Sequence, residues 1–172
     1  QVLARVKRLF DLYCEPNVVY EALQTMNEIR PGSCIPGIRV PGCFGSFEMA
    51  VRAVLGQQIT VKAAGMLAGK IAKTYGSPIE TGKEGLTHTF PTAEDILALP
   101  DPIEERLGVL GVIASRSRSI LALAEKLVSG EIVLDGSADP EQEMKKLVEI
   151  KGIGDWTAIY IAMRTLGWPD AF

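Results

Sequence analysis

The 172-residue sequence predicts an all-α protein. Three observations support this class: apolar residues recur at spacings of three and four, capping residues and glycine stops bracket those stretches, and no segment sustains strand-like alternation. The composition, with 47% hydrophobic and 23% charged residues, is that of a packed globular domain. We therefore expect eight or so helices and essentially no sheet.

The first half of the chain is predicted to hold four helices separated by a turn-rich loop over residues 29–45. Apolar residues at helical spacing define the first two helices, Ser46 is expected to cap the third, and small residues follow one face of the fourth. The predicted ranges are Val2–Tyr13, Asn17–Met26, Phe47–Leu55 and Thr60–Tyr75.

In the second half, helix boundaries are marked by cap signals. Thr92 with Asp95 resembles a capping box, Ser115 is a candidate cap, and Asp139-Pro140 is a cap followed by proline at the first helical position. Asp101-Pro102 indicates a turn. The predicted ranges are Ala93–Leu99, Ser115–Ser129, Pro140–Glu149 and Asp155–Leu166, the last one stopped by Gly167.

The formal net charge of −3 alone argues against a nucleic-acid partner, since DNA affinity comes largely from Lys and Arg that neutralise phosphates. However, the charges are segregated: residues 1–80 hold nine basic against six acidic residues, and residues 81–113 hold two against six. This distribution permits a local basic face, but an ordinary solvated surface would produce it equally well.

Three cysteines, with no CxxC pair, disfavour a zinc or iron–sulfur site and fit a reducing, cytoplasmic setting. No apolar run approaches the ~20 residues that cross a bilayer, and no leader opens the chain, so we expect a soluble protein without membrane contact.

The segment with the clearest chemical potential is Lys151-Gly152-Ile153-Gly154, between the last two predicted helices. Glycine lets the backbone turn sharply and approach a ligand, and the N–H groups that open the next helix form an anion site. A DNA backbone phosphate fits such a site. By spacing alone, Gly-x-Gly is more often just a tight connection.

The residues from Leu147 to Ala158 resemble the helix-hairpin-helix motif of DNA base-excision glycosylases, with Ile150-Lys151 in place of the usual Leu-Pro. Similar stretches occur elsewhere in the same order: Arg5–Cys14, Gly37–Cys43, Phe47-Glu48, Ala53–Gln58 and Phe90–Thr92. Together they resemble the 3-methyladenine DNA glycosylase II branch, the AlkA-like enzymes, over nearly the whole chain.

This resemblance implies a monofunctional enzyme that hydrolyses alkylated purines from double-stranded DNA in base excision repair. The bifunctional members carry a Lys nucleophile where this sequence has Trp156, and an indole cannot form a Schiff base. Trp156 and Tyr160 would line the base pocket, since a cationic alkylated base is attracted to aromatic faces. Without the family, two core aromatics at helical spacing would be the favoured interpretation.

The resemblance also assigns the DNA contacts and a cation site. Predicted DNA-binding residues are Gln58, Lys151, Gly152, Ile153, Gly154 and Thr157. Gln58 matches the position of the wedge that fills the gap left by the flipped base, although a polar turn between helices is commonplace. Main-chain carbonyls of Val148, Ile150 and Gly152 would hold Na⁺ or K⁺ at the hairpin, and no cofactor is expected for catalysis.

The family's catalytic aspartate is expected just after Phe172, so we predict that no catalytic residue lies within this sequence and that the fragment alone is inactive. Asp170 lies a few positions too early and is expected in an exposed turn. The sequence is therefore interpreted as one helical glycosylase region over residues 1–172, truncated at its C-terminus, without the family's N-terminal sheet domain and C-terminal helices. A monomeric, nucleoid-associated bacterial protein is implied.

Two alternatives stay open. One is a noncatalytic helix-hairpin-helix module that binds DNA by its hairpin alone, and the other is an enzyme for mismatched or oxidised bases. The sequence does not rank the damaged bases.

Overall fold

A computed structural model describes residues 2–168, and the predicted role of Asp170 lies outside them. The described chain is helical, with one isolated bridge between Pro78 and His88 and no strand within that range. The all-α prediction is therefore confirmed. By its internal contacts the chain divides into two compact units, Gln1–Phe44 and Gly45–Phe172.

The first unit contains three short helices, α1 (Val2–Leu9), α2 (Pro16–Leu23) and α3 (Met26–Ile29). The prediction that the first helix extends to Tyr13 is wrong. Asp11 adopts a left-handed backbone conformation with φ 52°. Its carboxylate accepts the Val40 N–H at 3.0 Å and its carbonyl accepts the Arg39 guanidinium, so contacts with the following loop end the helix.

The second unit contains seven helices among its described residues. They are α4 (Ser46–Leu55), α5 (Val61–Tyr75), α6 (Ala93–Leu97), α7 (Ile103–Gly108), α8 (Ala114–Val128), α9 (Pro140–Val148) and α10 (Asp155–Leu166). Their buried aliphatic side chains form one core, in which α8 packs against α4, α6 and α7, and α10 against α4 and α9. This packing brings the C-terminal ends of α4 and α9 and the N-terminal part of α8 close to the start of α10.

Two of the predicted caps are confirmed. Thr92 and Asp95 form a reciprocal capping box, and Asp139 accepts the Gln142 N–H ahead of Pro140. Thr60, predicted as the start of its helix, is the cap residue of α5 and accepts the Ala63 N–H. Ser46, in contrast, does not cap α4, because its hydroxyl donates to the Leu134 carbonyl instead.

Ser115 does not cap α8 either, since the cap position is Ile113 and makes no side-chain hydrogen bond.

The helix α7 lies where the sequence predicts only a turn. It buries Ile103 and Leu107, and Arg118 of α8 pairs with its Glu104 at 2.8 Å. The hydrogen bond from Arg118 lowers the pKa of this Glu104 carboxyl.

No helix within residues 2–168 is both long and apolar enough to cross a membrane.

Candidate nucleic-acid interface

Two buried isoleucines anchor the turn between α9 and α10 to the hydrophobic core. Ile150 and Ile153 are each 3% exposed and join the core. The Ile150 N–H donates to the Leu147 carbonyl at 3.1 Å, and the Ile153 N–H donates to the Ile150 carbonyl at 2.9 Å. Lys151, Gly152 and Gly154 remain exposed. The sequence therefore folds into a hairpin with a buried base and an exposed backbone rim.

The two hairpin glycines are required for different reasons. Gly152 has φ +96°, and a Cβ there would lie 2.4 Å from Ser119 Oγ, the hydroxyl that donates to the Lys151 carbonyl at 2.8 Å. Gly154 has φ −89°, and a Cβ added at this position would meet no neighbouring atom within 4 Å. Fold and sterics thus require glycine at 152, whereas at 154 only an approaching ligand would.

The N-terminus of α10 faces the same exposed rim. Gly154 is its cap residue and supplies no side chain, so the first N–H groups of the helix, from Asp155 to Thr157, have no intrahelical acceptor. The helix dipole adds partial positive charge at this end, and exposed Lys151 adds a full one. Asp155 in the first turn opposes them. The arrangement is a compact anion site with one competing carboxylate.

Of the three carbonyls predicted to bind a cation, those of Ile150 and Gly152 already accept a hydrogen bond. The Ile150 carbonyl accepts the Ile153 N–H at 2.9 Å, and the Gly152 carbonyl accepts Gln57 Nε2 at 2.8 Å. A carbonyl oxygen has two lone pairs, so each retains one. Neutral oxygen donors of this kind are chemically suited to a hard monovalent cation, and a cation held by Val148, Ile150 and Gly152 stays a prediction.

A second exposed feature is the turn at residues 56–60, between α4 and α5, here called the wedge turn. Gln58 at its tip is exposed and has a left-handed backbone with φ 55°. Such a conformation is uncommon for a residue other than glycine and is often retained at functional sites. Gln58 is thus held with its side chain on the surface.

Gln57, which the sequence pattern did not single out, connects the wedge turn to the hairpin. Its amide Nε2 donates to the Gly152 carbonyl at 2.8 Å and to Thr157 Oγ1 at 3.1 Å. Its own carbonyl accepts the guanidinium of Arg116, near the start of α8. These partners lie up to 100 residues away in sequence, and no local pattern signals such contacts.

These bonds change how two predicted DNA contacts are understood. Thr157 is 5% exposed and its hydroxyl accepts from Gln57, so its side chain is buried beneath that amide rather than presented to a ligand. Ile153 is buried and its N–H is used within the turn. DNA binding by Ile153 stays a prediction that no exposed donor group supports.

An aromatic stack follows the hairpin on α10. The rings of Trp156 and Tyr160 are parallel, with an interplanar angle of 2° and centroids 5.6 Å apart, and the Arg164 guanidinium lies 5.3 Å from the Tyr160 centroid. Tyr160 therefore lies between its neighbours one helical turn away on either side. Trp156 is 71% exposed, which makes its outer face the part of the stack open to a planar ligand.

Two family models match this chain. The family model described as HhH-GPD superfamily base excision DNA repair protein matches residues 51–171. The AlkA N-terminal domain model matches residues 1–45, where the described residues contain helices. The predicted organisation as a single helical region lacking the sheet domain stays a prediction.

Two curated relatives match nearly the whole chain. The probable bifunctional transcriptional activator/DNA repair enzyme AlkA of Mycobacterium tuberculosis is 42% identical over 98% of this chain and 33% of that protein. DNA-3-methyladenine glycosylase 2 of Escherichia coli is 39% identical over 98% of this chain and 55% of that protein. The chain thus spans a third to about half the length of these relatives.

Solved structures show the same fold. The 3-methyladenine DNA-glycosylase from Archaeoglobus fulgidus superposes with a TM-score of 0.68 at 26% identity, over 97% of this chain and 56% of that one. A Clostridium acetobutylicum 8-oxoguanine glycosylase/lyase in complex with double-stranded DNA gives a TM-score of 0.75 at 17% identity, over 96% of this chain and 56% of that one.

Proposed function

Because this chain belongs to the HhH-GPD superfamily of base excision DNA repair proteins, we propose that the protein hydrolyses alkylated purines from double-stranded DNA without cleaving the strand. The C1′–N bond breaks, water adds to C1′, and the free base and an abasic sugar result. The observation that carries the proposal is the adjacency of an anion-binding helix start and an exposed indole on one helix, α10.

The hairpin binds a backbone phosphate. The exposed N–H groups of Gly152 and Gly154 and those that open α10 surround one anion, and Lys151 adds charge. Val148, Ile150 and Gly152 would hold Na⁺ or K⁺ through their carbonyls, and such a cation supplies positive charge next to the phosphate. Three of the six predicted DNA-binding residues, Lys151, Gly152 and Gly154, therefore share the exposed rim, and Thr157 lies beside them in the first turn of α10.

The flipped base stacks on Trp156. Alkylation of a ring nitrogen gives a purine positive charge, and a cation over an indole face gains about 0.5–2 kcal/mol. Tyr160 supports the indole from its other side at 5.6 Å rather than contacting the base itself. The same positive charge weakens the glycosidic bond, so one property of the substrate serves both recognition and reaction.

Residue 156 supports hydrolysis over lyase chemistry, and Gln58 supports a wedge that fills the gap in the duplex. Residue 156 is an indole, which offers no amine for a covalent sugar adduct. Gln58, exposed at the tip of the wedge turn, enters the stack in place of the extruded base. The names of the curated relatives, among them DNA-3-methyladenine glycosylase 2, support a methylated purine as the substrate.

A panel of duplexes tests the substrate class. The protein that contains these residues is incubated with duplexes carrying one alkylated, one deaminated or one oxidised base, and released bases are quantified. We expect release of the alkylated purine and no adduct after borohydride reduction. Preferential release of the oxidised base, or a trapped adduct, would contradict the proposal, and binding without any release would identify a noncatalytic module. The same assay on the isolated 172 residues tests the prediction that they alone are inactive.

A further inference from the structure

Gln57 of the wedge turn forms hydrogen bonds with three other parts of the second unit. Both N–H groups of the Gln57 amide have acceptors, the Gly152 carbonyl at 2.8 Å and Thr157 Oγ1 at 3.1 Å. The Gln57 main-chain carbonyl accepts the Arg116 guanidinium. The hairpin, the start of α10 and the start of α8 are therefore all bonded to the same residue.

The hydrogen bonds of Gln57 connect Gln58, on one side, with the hairpin and the start of α10, on the other. The Gln57 carbonyl belongs to the peptide that leads directly into Gln58, which has a left-handed backbone and an exposed side chain. The acceptors on the other side are Gly152, in the exposed hairpin rim, and Thr157, buried in the first turn of α10 next to the proposed phosphate site. The Gln57 side chain is therefore a direct connection between the hairpin and the tip of the wedge turn.

We propose that Gln57 is a positioning residue that holds the Gln58 wedge in fixed register with the phosphate-binding hairpin. The inference rests on the proposed function, because a wedge and a phosphate grip matter only on DNA with an extruded base. Gln57 itself need not touch the DNA. It acts by fixing the distance between the hairpin, which binds the DNA phosphate, and Gln58, which occupies the space left by the extruded base.

A double-mutant cycle tests this coupling. Gln57→Met keeps the size of the side chain and removes both amide bonds, and Gln58→Ala removes the wedge. Affinity is measured for a duplex with a tetrahydrofuran abasic analogue and for the same duplex undamaged. We expect Gln57→Met to weaken abasic-site binding about five- to tenfold, the equivalent of one or two hydrogen bonds, and the double variant to bind no more weakly than the weaker single one.

The remaining outcomes contradict either the positioning role of Gln57 or the proposed function. If the two fold-changes multiply, or if Gln57→Met weakens binding to undamaged DNA equally, Gln57 is a structural residue only. If the unaltered protein does not prefer the abasic duplex, the proposed function fails and the inference with it. Thr157→Val serves as the second variant should Gln57→Met not fold, because it removes one acceptor of the same amide and leaves the wedge turn unaltered. It is judged by the same cycle.

Discussion

Ser119 and Gly152 approach so closely that a methyl group on Gly152 would lie 2.4 Å from the Ser119 hydroxyl oxygen. Ser119 is 2% exposed on α8 and donates to the carbonyl of Lys151 at 2.8 Å. The hairpin is therefore bonded to α8 through Ser119, and its first glycine leaves room for this contact. The second, Gly154, faces open space.

This difference predicts opposite results for two alanine substitutions. Gly152→Ala combines φ +96° with the Ser119 clash, and we expect a loss of about 1–3 kcal/mol in unfolding free energy. Gly154→Ala should cost less than about 1 kcal/mol as a poorer helix cap, yet weaken DNA binding because a phosphate must approach that position. Thermal denaturation and DNA titration of both variants check this. Unchanged DNA affinity in Gly154→Ala would remove the argument for close approach.

Trp156→Ala separates recognition from stability. The indole is 71% exposed and its main described contact is the stack on Tyr160, so we expect a stability loss of about 0.5–1.5 kcal/mol. Release of an alkylated purine should fall more than about tenfold, since the stacking face is lost. Trp156→Phe, which keeps a ring, should retain an intermediate rate. Equal rates in the wild type and Trp156→Ala would show that the ring does not receive the base.

Lys151→Met tests the phosphate grip through its salt dependence. Each phosphate contact contributes close to one unit to the slope of log affinity against log salt, so this slope should fall by about 1. Lys83→Met, in the exposed loop between α5 and α6, makes the same change in net charge and should leave the slope unchanged. Equal effects of both variants would indicate only a general charge effect.

Asp155→Asn is expected to strengthen DNA binding. The carboxylate lies in the first turn of α10, where it competes with a phosphate for the helix dipole and Lys151. Its removal should raise affinity roughly two- to fivefold at low salt and cost about 0.3–1 kcal/mol of stability. Titrations at low and high salt check this, and the gain should shrink as salt screens the charge. A loss of affinity would indicate that Asp155 contacts the DNA favourably.

The sequence predicted those elements whose signals are local. The capping box at Thr92, the cap at Asp139 and the range of α10 have such signals, and the structure confirms them. The helix α7 lacks them, since it has six residues, two buried aliphatic side chains and no capping side chain. The end of α1 depends on contacts of Asp11 with a loop nearly 30 residues later.

The same distinction applies to the candidate site. Gly152 and Gly154 are recognisable in a linear sequence by their turn chemistry, whereas Trp156 is assigned to the site by the family resemblance. The role of Gln57 is visible in neither way, because its partners are 95 and 100 residues away and become neighbours only when α4 packs against α10. Similarly, burial of Thr157 under that amide could not be deduced from its place in the motif.

Abasic-site formation tests the central claim most directly. A duplex with one 3-methyladenine analogue is incubated with the protein that contains these residues, and strand breaks are counted with and without alkali. We predict breaks that increase with time and are seen only after alkali, because the base is removed and the strand is left intact. Strands that remain unbroken after alkali, or breaks that form without it, would contradict hydrolysis by a monofunctional glycosylase.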